Sequence, residues 1–287
     1  MNENKTNINW YPGHMAKTKR LIRENLDLID VVYEVIDARM PKSSKIEDID
    51  DLIKTKEKII IMTKMDLCDK NETSKWIEYY KSHGYHVFTT DLEHNFKKSE
   101  LLKLTNNVME EKNKKRELKG MIKRKTRVLV VGIPNVGKST LINKLVGKKV
   151  VNTGNKPGIT KNLDWIRIDD QIELLDTPGI LWPKLEQDTV ALNLASLTAI
   201  KEEILPIERV VFYIIEMLNT YYKNILNEKY KIDIQTDDSI EIVELIGKKR
   251  GCIMKGALVD YEKVYNIILN DIKSGNINNI TFDRYEG

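Results

Sequence analysis

The sequence predicts an α/β fold in residues 1–183, a mostly parallel sheet with helices on both faces, followed by a small all-α domain in residues 184–287. Three observations predict it. Short β-branched runs such as Val31-Val-Tyr-Glu-Val-Ile36 and Lys58-Ile-Ile-Ile-Met62 alternate with polar, helix-length segments, as parallel strands buried on both faces do. Gly132-Ile-Pro-Asn-Val-Gly-Lys-Ser139 directly follows a further run of this kind. After Pro183 the apolar period becomes helical, and no strand pattern of comparable strength follows.

In chain order, strands are expected at Val31–Ile36, Lys58–Met62 and His86–Thr89, with a helix-length segment at Asn71–His83. Lys112–Arg127 carries nine basic residues, and reads either as a solvated linker helix or as an RNA-contacting patch. Strands resume at Arg127–Val131, Leu163–Ile168 and Gln171–Leu175, with a helix from Ser139 to Val146. Apolar residues then recur at helical spacing from Ile207 to Ile225 and from Val264 to Ile272.

Composition narrows the classes. In 287 residues, 41% apolar and 31% charged, the chain can bury a core, which excludes disorder. Its longest apolar runs are too short to span a bilayer. Cys68 and Cys252 form no Cys-x-x-Cys pair, which excludes a disulfide framework or zinc ribbon and suits a reducing cytosol. Met1–Arg20 lacks an apolar core, so no secretory signal is expected and the location predicted is cytoplasmic. Residues 1–183 hold 34 basic and 26 acidic groups, against 13 and 17 in 184–287. A basic first part suits a polyanionic partner.

Gly132–Ser139 fits G-x-x-x-x-G-K-[ST] at a strand-to-helix turn. Its glycines let backbone N–H groups curl around a β-phosphate, with the helix N-terminus adding its dipole. Lys138 would reach the β/γ oxygens and the Ser139 hydroxyl would bind magnesium. Asn135, Val136, Gly137, Lys138, Ser139 and Thr140 are thus candidate nucleotide contacts. Asp176-Thr-Pro-Gly179 ends a strand, so Asp176 is placed to hold magnesium and the Gly179 N–H to meet a γ-phosphate. Thr160, in Pro157-Gly-Ile-Thr160 between these motifs, is a second hydroxyl candidate for magnesium.

Thr63-Lys-Met-Asp66 follows the strand Lys58–Met62 and resembles the guanine-reading Asn-Lys-x-Asp of Ras-like GTPases, with Thr63 in place of Asn. Asp66 can accept from both guanine N1–H and the 2-amino group, while adenine would leave that charge unpaired. Lys64 can cover the base with its stem, Met65 lies between them, and Thr90 sits where such proteins carry a second base-contacting loop. The base motif precedes the phosphate loop, the reverse of Ras-like proteins. A circular permutation of the P-loop GTPase fold accounts for that order.

Trp10-Tyr-Pro-Gly-His-Met-Ala-Lys17, Asp37-Ala-Arg-Met-Pro41 and Gly251-Cys-Ile-Met-Lys-Gly256 with Asp260 complete a specific likeness. The chain resembles, over nearly its whole length, the bacterial circularly permuted GTPases of the YlqF type, the ribosome biogenesis GTPase A family. The resemblance implies GTP hydrolysis to GDP with Mg2+, coupled to late assembly of the large (50S) ribosomal subunit. Partners implied are that subunit and its rRNA, contacted by the helical C-terminal domain, with no membrane and a monomer off the ribosome.

Ile180 stands where Ras-like enzymes carry the water-orienting Gln. The resemblance assigns that work to His14, which the residues alone would leave as an ordinary exposed side chain. Asn135 either shapes the loop or, by likeness to cation-activated GTPases, holds a potassium ion that stabilises charge between the β and γ phosphates. Lys138, Asn135 and His14 are therefore the candidate catalytic residues. Two other readings stand beside an assembly GTPase: a nucleotide-dependent RNA-binding switch with negligible turnover, and a P-loop ATPase, which Asp66 disfavours.

Overall fold

Six strands, β1 (Val31–Asp37), β2 (Glu57–Thr63), β3 (His86–Thr89), β4 (Thr126–Val131), β5 (Trp165–Arg167) and β6 (Ile172–Leu175), make one sheet in the order β3-β2-β1-β4-β6-β5. This is a computed structural model, and it describes residues 20, 22–53, 56–121, 124–150, 165–175, 188–200 and 205–287. All pairings are parallel except β5 with β6. Helices α1 (Glu47–Ile53), α2 (Lys70–Ser82), α3 (Lys98–Leu118) and α4 (Lys138–Val146) belong to this part, and α5 (Asp188–Ser196), α6 (Ile207–Tyr221), α7 (Lys223–Tyr230), α8 (Ser239–Arg250) and α9 (Tyr261–Lys273) follow it.

The central strands are buried on both faces because alternate residues meet different helices. Ile36, Ile60 and Met62 pack on Trp76 and Tyr80 of α2, while Val35, Ile59 and Ile61 join the cluster that holds Leu101 and Met109 of α3. Every residue of β1 is buried, including Glu34 and Asp37. Buried carboxylates need partners: Glu34 receives Lys58 Nζ at 2.8 Å, and Asp37 receives Arg39 Nη2 at 2.9 Å.

The expected strands are present, and the basic stretch Lys112–Arg127 is not one continuous helix. It covers the end of α3, a turn and the start of β4. Arg116 and Arg124 converge on Asp30, which is 1% exposed, at 2.5 and 2.8 Å. Arg127 Nε meets Glu173 at 2.7 Å and its guanidinium lies over Trp165. Arg116 thus ties α3 to the entrance of β1, and Arg127 ties β4 to its neighbours β6 and β5.

After the sheet the described residues hold helices and one isolated bridge, Ile253–Val259. The run from Ile207 to Ile225 breaks into α6 and α7, because Tyr222 between them is not helical (φ −140°). The last residues then return to the sheet domain. Phe282 N–H donates to Arg39 O at 2.7 Å, and Trp76 Nε1 donates to Asp283 O at 3.1 Å. The Asp283 carboxylate accepts from the N–H groups of Lys42 and Ser43, each at 2.7 Å, and from Asn193 Nδ2 at 2.9 Å. Burial pushes this carboxyl up, against those donors.

Candidate functional site

Strands β1, β2 and β4 run parallel, so their carboxyl ends open on one edge and their following loops meet there. The loop after β4 is the phosphate-binding sequence. Gly132 stands at φ +154°, and a Cβ there would lie 2.5 Å from Val35 O of the neighbouring strand. Only glycine permits that approach. Gly137, left-handed at φ +94°, turns the chain into α4, so the helix's unpaired N–H groups face the loop. Lys138 is 9% exposed and its ammonium donates to Ile133 O at 2.6 Å. Burial pushes it down to about 7. Ser139 and Thr140, both half-buried, follow in the first turn of α4.

The loop after β2 carries the other half. Thr63 is fully buried, and its hydroxyl lies 2.7 Å from Val136 O and 3.0 Å from Ile36 O. It therefore ties the end of β2 to the phosphate loop. Lys64 adopts φ +59° and Asn135 φ +64°, conformations that cost a non-glycine residue about 1–2 kcal/mol. The two hold each other, with Lys64 Nζ donating to Asn135 O at 2.6 Å. Lys64 also pairs with Asp37 at 2.9 Å. Burial would raise the Asp37 carboxyl, but the Arg39 and Lys64 cations outweigh it and hold it well below the usual carboxylate range.

Asp66 projects as an exposed carboxylate, and Met65 packs against the α2 cluster. Thr90 fastens this loop from behind: its N–H donates to Met62 O at 2.9 Å, while its hydroxyl is buried without a partner among the described residues. Asp91 and His94, absent from the sequence-derived set, place their ligand atoms within 4.8 Å of Asp66 and of each other. Asn135 donates its amide to Thr198 O at 2.5 Å. A carbonyl can only accept, so Oδ1 of Asn135 points away from Thr198.

The fold thus brings Thr63, Lys64, Asp66 and the loop Asn135–Thr140 to one edge. His14, Thr160, Asp176 and Gly179 lie outside the described residues. The part of the site that is described fits a magnesium nucleotide: a hydroxyl at Ser139, a buried ammonium at Lys138 and a helix N-terminus.

A family model described as RsgA GTPase matches residues 18–186, and one described as 50S ribosome-binding GTPase matches residues 127–255. Ribosome biogenesis GTPase A of Priestia megaterium is 42% identical over 96% of this chain and 96% of its own. The chain belongs to the ribosome biogenesis GTPase A family. The GDP-bound structure of YlqF from Thermotoga maritima is 29% identical, with a TM-score of 0.67 over 93% of this chain and 100% of its own. The GNP-bound structure gives 0.66 over 94% and 99%.

Strand β2, before the motif Thr63–Asp66, precedes β4, before the P-loop, in sequence, yet both flank β1 in space, as circular permutation requires. Among the described residues no helix is long and apolar enough to cross a membrane. Asp37 and Arg39 stand in the family segment Asp37–Pro41, but nothing local in that segment indicates that Asp37 reaches Lys64.

Proposed function

We propose that this GTPase acts as an assembly factor in a late step of large (50S) ribosomal-subunit biogenesis, turning over slowly alone and faster on the particle. Residues 1–183 would bind and hydrolyse GTP, and residues 184–287 would contact rRNA. The observation that carries the nucleotide reading is the pair of direct ties between the two loops, Thr63 to Val136 and Lys64 to Asn135. On this reading they hold the loop carrying Asp66, for the base, beside the loop carrying Lys138, for the phosphates. GTP is favoured over ATP because adenine offers Asp66 no pair of donors.

Magnesium, held by Ser139 with Thr160 and Asp176, would neutralise developing phosphate charge. This chain's own groups do the rest: backbone N–H groups of Val136 to Thr140 orient the phosphates, and Lys138 supplies positive charge. Oδ1 of Asn135 would serve as a potassium ligand. With Ile180 unable to hydrogen-bond through its side chain, His14 would orient the attacking water on the particle. On this reading the chain is monomeric off the ribosome and works in the cytoplasm.

GTP turnover measured with and without large-subunit particles tests this. His14→Ala should lower the stimulated rate by roughly 10²–10⁴-fold while leaving GTP affinity within a few-fold. Full stimulation of that variant would move water activation elsewhere. The absence of any turnover on the particle would favour the RNA-binding switch with negligible hydrolysis.

A further inference from the structure

A continuous series of charged hydrogen bonds runs from the phosphate loop to the last helix. It begins at Asn135 O, which accepts from Lys64 Nζ at 2.6 Å. The same ammonium meets Asp37 Oδ2 at 2.9 Å. Asp37 Oδ2 also takes Arg39 Nη2 at 2.9 Å, and Oδ1 takes Arg39 Nε and the Arg39 N–H at 3.1 and 3.0 Å. The remaining arm of the guanidinium, Nη1, donates to Ile272 O of α9 at 3.2 Å. Arg39 O in turn accepts Phe282 N–H from the returning C-terminal segment.

Stability alone does not account for this arrangement. Asp37 is 0% and Arg39 2% exposed, and a buried ion pair is often matched or bettered by apolar residues of similar volume. What such a pair supplies is direction: the planar fork satisfies both carboxylate oxygens and leaves one N–H aimed at a single carbonyl. Asn135 is also gripped on its other side. Its side chain holds Thr198 O, and Thr198 itself stands at φ +53°. Any movement of Asn135 as phosphates enter the loop must therefore disturb both the Lys64 bond and the Thr198 bond, each of which leads to a C-terminal helix.

We propose that Arg39 is a positioning residue that, through Asp37 and Lys64, couples the phosphate loop at Asn135 to α9 and the segment after it. Nucleotide binding and a well-ordered C-terminal end then favour each other. Coupling of this kind is reciprocal, so a partner that grips the C-terminal helices changes nucleotide affinity by the same factor. The inference rests on the nucleotide reading above.

Amide hydrogen exchange on the full chain, with and without saturating GDP and magnesium, tests it. In the unaltered chain, GDP should slow exchange at residues 132–140 and, by about tenfold, at residues 268–283. Arg39→Lys keeps a cation against Asp37 but loses the fork that reaches Ile272. It should retain protection at 132–140 and lose the distal protection. If Arg39→Lys does not fold, the paired exchange Asp37→Asn with Arg39→Gln removes both charges together and should show the same loss. A purely structural role would lower the melting temperature yet leave the GDP-dependent distal protection intact, and that result overturns the proposal. Protection at 132–140 without any at 268–283 in the unaltered chain also overturns it. No protection at 132–140 would instead overturn the nucleotide reading, and the coupling with it.

Discussion

Lys138 has one hydrogen-bond partner among the described residues, Ile133 O, and burial lowers its ammonium from the ordinary 10.5 to about 7. The unfolded chain therefore binds more protons than the folded chain between these values, so this group makes the folded protein more stable as pH rises from about 7 toward 10.5. Bound phosphates reverse the situation by favouring the cation. GTP binding at pH 8 should therefore take up close to one proton, and affinity should rise as pH falls from 9 to 7. Calorimetry in buffers of different ionisation enthalpy reads the uptake directly, and zero uptake or release would contradict it. The motif alone identified Lys138 but not its environment, which depends on how closely β1 and the loop pack around it. Thr63 makes the same point. Its place in the base motif suggests a contact with the nucleotide, whereas its hydroxyl faces Val136 O and Ile36 O, contacts some 73 and 27 positions away that no local pattern encodes.

Among elements, those with strong periodicity were legible. The central strands β1, β2 and β4 stand out as apolar, β-branched-rich runs, because parallel strands buried on both faces leave little room for other residues. Helices α5 and α8 were not expected. For α8 the caps give the best available signals: Asp238 accepts from Ile240 N–H at its start, and left-handed Gly251 ends it. In the basic stretch, charge count does not distinguish an outward lysine from an arginine aimed at Asp30. Where β4 leaves the sheet, backbone approach dominates. Gly132→Ala would place a methyl 2.5 Å from Val35 O, and should destabilise the chain by about 1–3 kcal/mol beyond the loss of glycine's conformational freedom. The control is Gly147→Ala at the end of α4, also left-handed at φ +79° but with nothing within 4 Å of the added Cβ. Thermal unfolding should give the larger fall for Gly132→Ala, by several degrees. Equal shifts would mean that the loop does not depend on its contact with β1.

Across the whole molecule, permutation changes which parts are neighbours in sequence without changing which are neighbours in space. The base loop and the phosphate loop are more than sixty residues apart, and β1 between them holds both through Asp37 and Val35. The C-terminal residues return to the same edge, where Ile280 N–H meets Leu67 O at 3.3 Å, beside Asp66. Sequence showed the order of motifs and the change to helical period, but not this return, since single hydrogen bonds between distant segments leave no pattern. If these loops form one guanine-nucleotide site, Asp66 reads the base. Asp66→Asn should leave the fold unchanged, because Asp66 is exposed. It should weaken GTP binding by about 2–4 kcal/mol through the lost charge-assisted pairing, while xanthosine triphosphate gains affinity. A titration of both nucleotides against both proteins measures this directly. A reversal of preference is expected, and unchanged GTP affinity in Asp66→Asn would show that Asp66 does not read the base.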